Sequence, residues 1–340
     1  MEKGQIEEPF KISKKMSNLI KILSIDGGGV RGIIPAKVLA EIEERTGKRI
    51  AEIFDLIAGT STGGILTLGL AKADERGKPY YTASDLVSLY KEESEIIFPL
   101  TLFSKFKALF NTKYSSKPLE QVLHKYFGET RLSEALTEVL IASYELKQCD
   151  PFFFRRFNAI EKPSRNFKMV EVARAACAAP TYFEPLHLKT SDRTYVFIDG
   201  GVFANNPAMF AYTEAKARHK DATKFLVVSI GTGQLTNQLE YKQVKKWGQL
   251  EWAQPILSVF FDGISDAVDY QMNSLLSVEN KTTYYYRFQI GLQELRKDIG
   301  DRMDDASDEN IAYLEDLAQR IISKEDKRLE TLCQLLVASH

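Results

Sequence analysis

Leu56-Ile57-Ala58-Gly59-Thr60-Ser61-Thr62-Gly63-Gly64-Ile65-Leu66-Thr67-Leu68 is the stretch on which the reading of this chain turns. An apolar triplet runs into a polar turn containing G-x-S-x-G, and apolar, helix-compatible residues follow. The pattern predicts strand, tight turn, helix. On such a turn a serine hydroxyl projects from the sheet toward a pocket. Gly59 and Gly63 relieve the crowding that side chains would create at the bend. The helix that follows aims its free N–H groups and its positive end at Ser61, which favours developing negative charge. The same residues also suit an ordinary turn with a helix N-cap, so the string alone leaves both readings open.

Upstream, Ile22–Ile25 reads as a first strand, then Asp26-Gly27-Gly28-Gly29-Val30-Arg31-Gly32, then a helix opening near Pro35. Three consecutive glycines let the backbone curl so that several N–H groups face one point, a nest suited to an oxyanion. Arg31 would either add a fixed positive charge near a lipid phosphate or anchor the loop. Gly27, Gly29 and Gly32 also satisfy the dinucleotide fingerprint G-x-G-x-x-G, which wants an acidic residue about 20 positions on, closing a second strand. Asp55 lies near that spacing but precedes its strand. A nucleotide-regulated or dinucleotide-binding protein using Gly27–Gly32 is therefore the alternative function.

Downstream, Asp199-Gly200-Gly201 follows Tyr195–Ile198, so a carboxylate emerges at a strand end, where parallel sheets gather functional residues. Asp199 taken alone reads equally as a cap or turn former. Of the four histidines (His124, His187, His219, His340), only His219 would give the chain order Ser, Asp, His. His219 closes a helix, where a dipole contact explains it. A two-residue arrangement, with Asp199 taking the Ser61 proton directly, is preferred.

The remaining strand expectations are Val139–Ser143, Phe225–Ile230 and Thr283–Ile290. Helices are expected over Ala83–Glu93, Pro118–Tyr126, Met169–Ala178, Pro207–Arg218 and Ile311–Ser323. Alternation of this kind marks an α/β layer fold. Residues 1–19 read as a polar, mobile lead-in and 20–340 as one catalytic domain without a linker.

Of the 340 residues 44% are apolar and 27% charged, and the net charge is −1. That excludes the basic field a nucleic-acid polymer would require. Cys149, Cys177 and Cys333 make neither a disulfide framework nor a zinc site. No secretory signal and no apolar run of bilayer length is expected, so the reading is cytoplasmic with transient, peripheral membrane contact. The sequon Asn280-Lys281-Thr282 is then a chance match. Two segments could meet a lipid surface: Ile96–Phe110, with Lys105 and Lys107, and Trp247–Phe261, with both tryptophans. Both also read as buried connectors or core helix.

These motifs, in this order, resemble the patatin-like phospholipases over roughly residues 20–323. Asp26–Gly32 resembles the family's oxyanion loop, Gly59–Gly63 its nucleophile motif and Asp199–Gly201 its acid motif. Ala173–Pro185 (ARAACAAPTYFEP), Gly201–Pro207 (GVFANNP) and Val227–Gly233 (VVSIGTG) are similar to further family stretches. The resemblance implies a three-layer α/β/α sandwich around a mostly parallel central sheet. It implies a Ser61–Asp199 dyad, a loop of Gly27, Gly28 and Gly29 supported by Arg31, and no cofactor or catalytic metal. It implies hydrolysis of fatty acyl esters of glycerophospholipids. Glu145 stands where an aspartate would be expected. The compact length resembles bacterial members, some of them activated by cyclic nucleotides, so a small-molecule activator of that kind is one possible partner.

Overall fold

A computed structural model of the protein describes residues 19–99, 112–234, 241–252, 255–278, 283–292 and 302–338. β1 (Leu19–Ile25, LIKILSI) is buried at six of its seven positions. That is the composition of a strand covered on both faces, as parallel strands between helical layers are. It pairs in parallel with β2 (Leu56–Thr60) on one side and β7 (Lys224–Ile230) on the other. β3 (Glu138–Glu145) extends the parallel set beyond β2, and β8 (Thr283–Phe288) beyond β7. Antiparallel pairings add β4 (Asp150–Arg155), β5 (Leu186–Lys189) and β6 (Thr194–Asp199), giving an eight-stranded sheet in the order β5-β6-β3-β2-β1-β7-β8 with β4 also on β3.

The strands alternate between two apolar layers, as a period of two demands. Leu23, Ile25, Ile57, Val139, Ile141 and Val228 join one core cluster. Ile22, Leu56, Ala58, Leu140 and Val227 join the other. α1 (Ile33–Thr46) covers the first face together with α2 (Thr62–Ala71), α3 (Ala83–Ile97), α4 (Ser116–Phe127), α5 (Met169–Ala176), α8 (Asp308–Lys324) and α9 (Asp326–Val337). α6 (Ala208–Arg218) and α7 (Pro255–Val278) cover the second. The result is the α/β/α sandwich with a mostly parallel sheet.

All six expected strands form. β4 and β5 were not anticipated: β4 carries Pro151 at its second position and β5 has four residues with alternating exposure. The helix expected near Pro35 starts at Ile33, after a 3-10 turn over Gly29–Gly32. Of the Trp247–Phe261 segment, α7 takes only the part from Pro255 and runs on to Val278. Residues 1–18, 100–111, the sequon at 280–282 and His340 lie outside the described residues, and with them most of the Ile96–Phe110 segment. Among the described residues, no helix is long and apolar enough to cross a membrane.

Candidate active site

Ser61 sits between β2 and α2 with φ 53° and ψ −122°. A non-glycine residue in this region is strained by about 1–3 kcal/mol and persists only where its surroundings hold it. Here Gly59 and Gly63 pack so closely that a Cβ on Gly59 would meet the Gly63 carbonyl and one on Gly63 the Ile25 carbonyl. The Ser61 carbonyl accepts from the Gly64 and Ile65 amides at 2.8 and 3.3 Å, which starts α2. α2 is buried throughout, so the turn cannot relax into solvent.

Asp199 reaches this serine by a route the sequence reading did not foresee. β6 is antiparallel to β3, not one of the parallel set. Asp199 stands opposite Ser143, one position past Ala142, which faces the last residue of β2, Thr60. β6 therefore occupies the edge of β3 that β2 vacates, and its final residue arrives beside the serine turn. The Asp199 amide donates to the Ala178 carbonyl at 3.0 Å, and the Gly201 amide donates to the Asp199 carboxylate at 2.8 Å. Gly200 abuts the Ala142 backbone, leaving no room for a side chain.

Burial pushes the Asp199 carboxyl up to about 7; the Ser61 hydroxyl and the Gly201 amide pull it back only in part. No cation compensates among these causes. Cys177 lies against the same pair. Burial and the nearby Asp199 push its thiol up, so it stays neutral beside Ser61.

The glycine loop is held from behind. Its first amide is committed: Gly27 donates to the Asn205 carbonyl at 3.1 Å, and so is not available to a ligand. The Gly27 carbonyl accepts from Thr232 Oγ1 at 2.7 Å. The Gly28 carbonyl accepts from Arg31 Nε and the Arg31 amide, each at 3.2 Å. In a trans peptide the N–H points opposite its C=O. Pinning these two carbonyls turns the Gly28 and Gly29 amides the other way. Both glycines line the cavity that contains Ser61 and Asp199, and no acceptor meets either amide among the described residues. Of the two sequence readings of Arg31, the structure gives the anchor, since the residue is buried at 3% exposure.

Thr232 and Arg287 escaped the sequence reading of the site. Thr232 lies inside VVSIGTG, a stretch already marked as family-like; Arg287 carries no local motif. The Arg287 guanidinium forks onto Asp26, at 2.9 and 2.6 Å, and reaches Ser229 Oγ at 2.8 Å. Burial raises the Asp26 carboxyl and Arg287 opposes it; burial works against the Arg287 charge, but Asp26 overrides it and holds the guanidinium protonated. This pair fixes the base of the loop. Glu145 proves structural, its carboxylate accepting the Gln148 and Val196 amides at 2.8 and 2.9 Å.

The cavity is mainly apolar, with Leu89, Ile97, Phe98, Leu119, Phe183 and Phe261 in its walls. No described histidine lines it. His124, His187 and His219 are exposed, and His219 borders a separate surface hollow with Lys21 and Asp55. Asp55 itself accepts the Lys21 amide at 2.7 Å, at the start of β1, whereas the glycine loop leaves its far end. The acid that the dinucleotide fingerprint needs is thus at the wrong edge of the sheet. Among the described residues no cluster suited to a metal ion occurs.

Because the Gly28 amide is aimed through Thr232, Thr232→Val is expected to lower kcat about tenfold with little change in KM, the loss of one neutral hydrogen bond. Steady-state kinetics on a soluble ester check this; an unchanged kcat would remove Thr232 from the loop's support.

Residues 23–212 match the Patatin-like phospholipase family. Patatin-like protein 4 of Arabidopsis thaliana is 35% identical, over 94% of this chain and 88% of its own length. Patatin-like protein 2 of the same plant is also 35% identical, over 80% and 76%. A rice relative, Patatin-like protein 2 of Oryza sativa subsp. indica, is 33% identical over 94% and 87%. The chain belongs to the patatin-like phospholipase family. The compact length suggested bacterial members; these three relatives are from plants.

Proposed function

We propose that this chain is a serine acyl hydrolase of the phospholipase A or lysophospholipase type, cleaving fatty acyl esters of glycerophospholipids. The observation that carries this reading is the meeting of a strained serine, a buried uncompensated carboxylate and two unengaged loop amides at one apolar cavity. A concave site lined mainly by apolar side chains with a few convergent polar groups suits a ligand that is mostly hydrocarbon.

In the proposed cycle, Asp199 takes the Ser61 proton as Oγ bonds to the ester carbon. The carbonyl oxygen becomes negative and receives the Gly28 and Gly29 amides; donors of this kind contribute about 3 kcal/mol each in known hydrolases. The carbon–oxygen bond to the glycerol breaks, and Asp199 returns the proton to the leaving oxygen. Water then repeats the sequence and releases the fatty acid. The lipid would enter from a membrane touched transiently along α7, where Phe260 is 52% exposed next to the wall residue Phe261. The alternative, a nucleotide bound by Gly27–Gly32, is disfavoured by the committed Gly27 amide and the displaced Asp55.

The test is product analysis by mass spectrometry on phospholipid vesicles, with a fluorophosphonate probe of Ser61. Free fatty acid and lysolipid are the expected products; a protein that is folded yet unreactive to the probe would end the proposal.

The carboxyl at about 7 makes a signed forecast. A general base works only when ionised, so kcat/KM should rise with pH through about 7 and level off above it. Stability moves the other way. A carboxyl held higher in the folded chain than in the unfolded one favours folding at low pH, and that contribution is lost as pH climbs through about 7. Asp199→Asn should therefore melt higher than the parent at pH 8, and that advantage should shrink as pH falls and vanish at about pH 4. A flat rate profile, or no such convergence in melting, contradicts the assignment.

A further inference from the structure

Away from the serine, a second cavity, open to solvent, lies against β3, β4 and the segment after β4, lined among others by Arg155, Lys162, Arg165, Arg193, Glu145 and Asp150. Its three arginines each lie over an aromatic ring. The Arg165 guanidinium lies 4.9 Å from the Phe152 centroid, Arg193 lies 4.3 Å from Tyr195, and Arg155 lies 5.3 Å from Phe153. Phe152 and Tyr195 themselves meet edge to face at 5.7 Å, so two of the three platforms form one rigid floor.

Two carboxylates, Glu145 and Asp150, line the hollow against its four cations. Glu145 is occupied by the Gln148, Val196 and Lys147 amides. Asp192, next to Arg193 in sequence, takes the Thr190 hydroxyl at 2.5 Å. Arg155 pairs with Glu214 at 3.3 Å. Among the described residues no carboxylate comes within ion-pair distance of Lys162, Arg165 or Arg193. In a chain with net charge −1 the lining of this hollow therefore carries more cations than carboxylates. Guanidiniums that rest on rings have lost part of their rotamer freedom already, and the guanidinium fork is the group that recognises phosphate oxygens in pairs.

We propose that this cavity binds a phosphate group, with Arg165 and Arg193 as the forks and Lys162 as the mobile third cation. The phosphate belongs either to a soluble phosphorylated molecule or to a lipid headgroup, and the chemistry of recognition is the same for both. This site is separate from the ester-cleaving cavity and does not depend on that reading.

The experiment uses the full chain in a Ser61→Ala background, so that vesicles are not consumed. One arm titrates inorganic pyrophosphate by calorimetry; the other floats the protein with phosphatidylcholine vesicles containing phosphatidic acid. Binding in at least one arm is expected, weakened at least about tenfold by Arg165→Gln/Arg193→Gln. Pyrophosphate alone would identify a soluble ligand, vesicles alone a headgroup. Lys162→Gln, at an exposed position, should weaken binding without touching the fold. With Ser61 intact, the double variant should still hydrolyse a soluble short-chain ester at the parent rate. No binding in either arm, or binding unchanged in both variants, overturns the proposal.

Discussion

Ser61→Ala is expected to lower ester turnover by roughly 10⁵-fold or more, the scale seen when a nucleophile acting as part of a unit is removed. Asp199→Asn should cost about 10⁴-fold, because the amide keeps the shape but accepts no proton. Substrate binding should survive in both, since the cavity walls are apolar and lie elsewhere. The two losses should not add: once the serine is gone, the base has nothing to activate. A further variant separates chemistry from strain. Ser61 holds φ 53°, which glycine adopts freely. Ser61→Gly should be as inactive as Ser61→Ala yet melt higher, by about 1 kcal/mol in stability. Measured rates and melting curves for the three proteins decide the matter. An active Ser61→Ala protein would refute the nucleophile.

The second large effect lies behind the site. Arg287→Met should destabilise the fold by about 3–5 kcal/mol, because it strands the Asp26 carboxyl without its guanidinium. Asp26 is 1% exposed, so water cannot replace the lost partner. Removing both charges should recover much of the loss: Asp26→Asn/Arg287→Met is expected to be more stable than Arg287→Met alone. Activity should not recover in parallel, since the bidentate anchor at the foot of the glycine loop is absent in either case. Denaturant midpoints and ester kinetics on the three variants read the two quantities apart. A cost below about 1 kcal/mol for Arg287→Met would mean the pair contributes nothing to the loop's setting.

The elements legible in the sequence are those whose geometry is written locally. Gly59, Ser61 and Gly63 announce a strand–turn–helix corner because only small residues fit that bend, and the corner is there. Leu56–Ala58 and Ile22–Ile25 read as buried strands because they are apolar on both faces. What stayed hidden depends on pairing between distant segments. Nothing in Thr194–Asp199 says that the strand runs against β3, so the position of Asp199 was expected at the end of a parallel strand and for the wrong reason. The glycine triplet gave no hint that its first amide faces Asn205, because that is set by how the residues after Asp199 return to the loop. Arg287 and Thr232 were invisible as members of the site for the same cause: each acts across β-strand neighbours, and the sequence records no register.

The antiparallel course of β6 has a temporal consequence. During synthesis the serine corner emerges long before the acid, and Thr232, which holds the Gly27 carbonyl, and Arg287, which holds the Asp26 carboxylate, emerge later still. Until the edge of the sheet is zipped, the chain carries an alcohol with no proton acceptor and a loop only partly aimed, its Gly27 carbonyl still waiting for Thr232. Ability to attack lipid should then arrive with completion of folding, and chains cut before residue 190 should leave a serine-directed phosphonate probe untouched; labelling of such fragments would show that the corner can act alone.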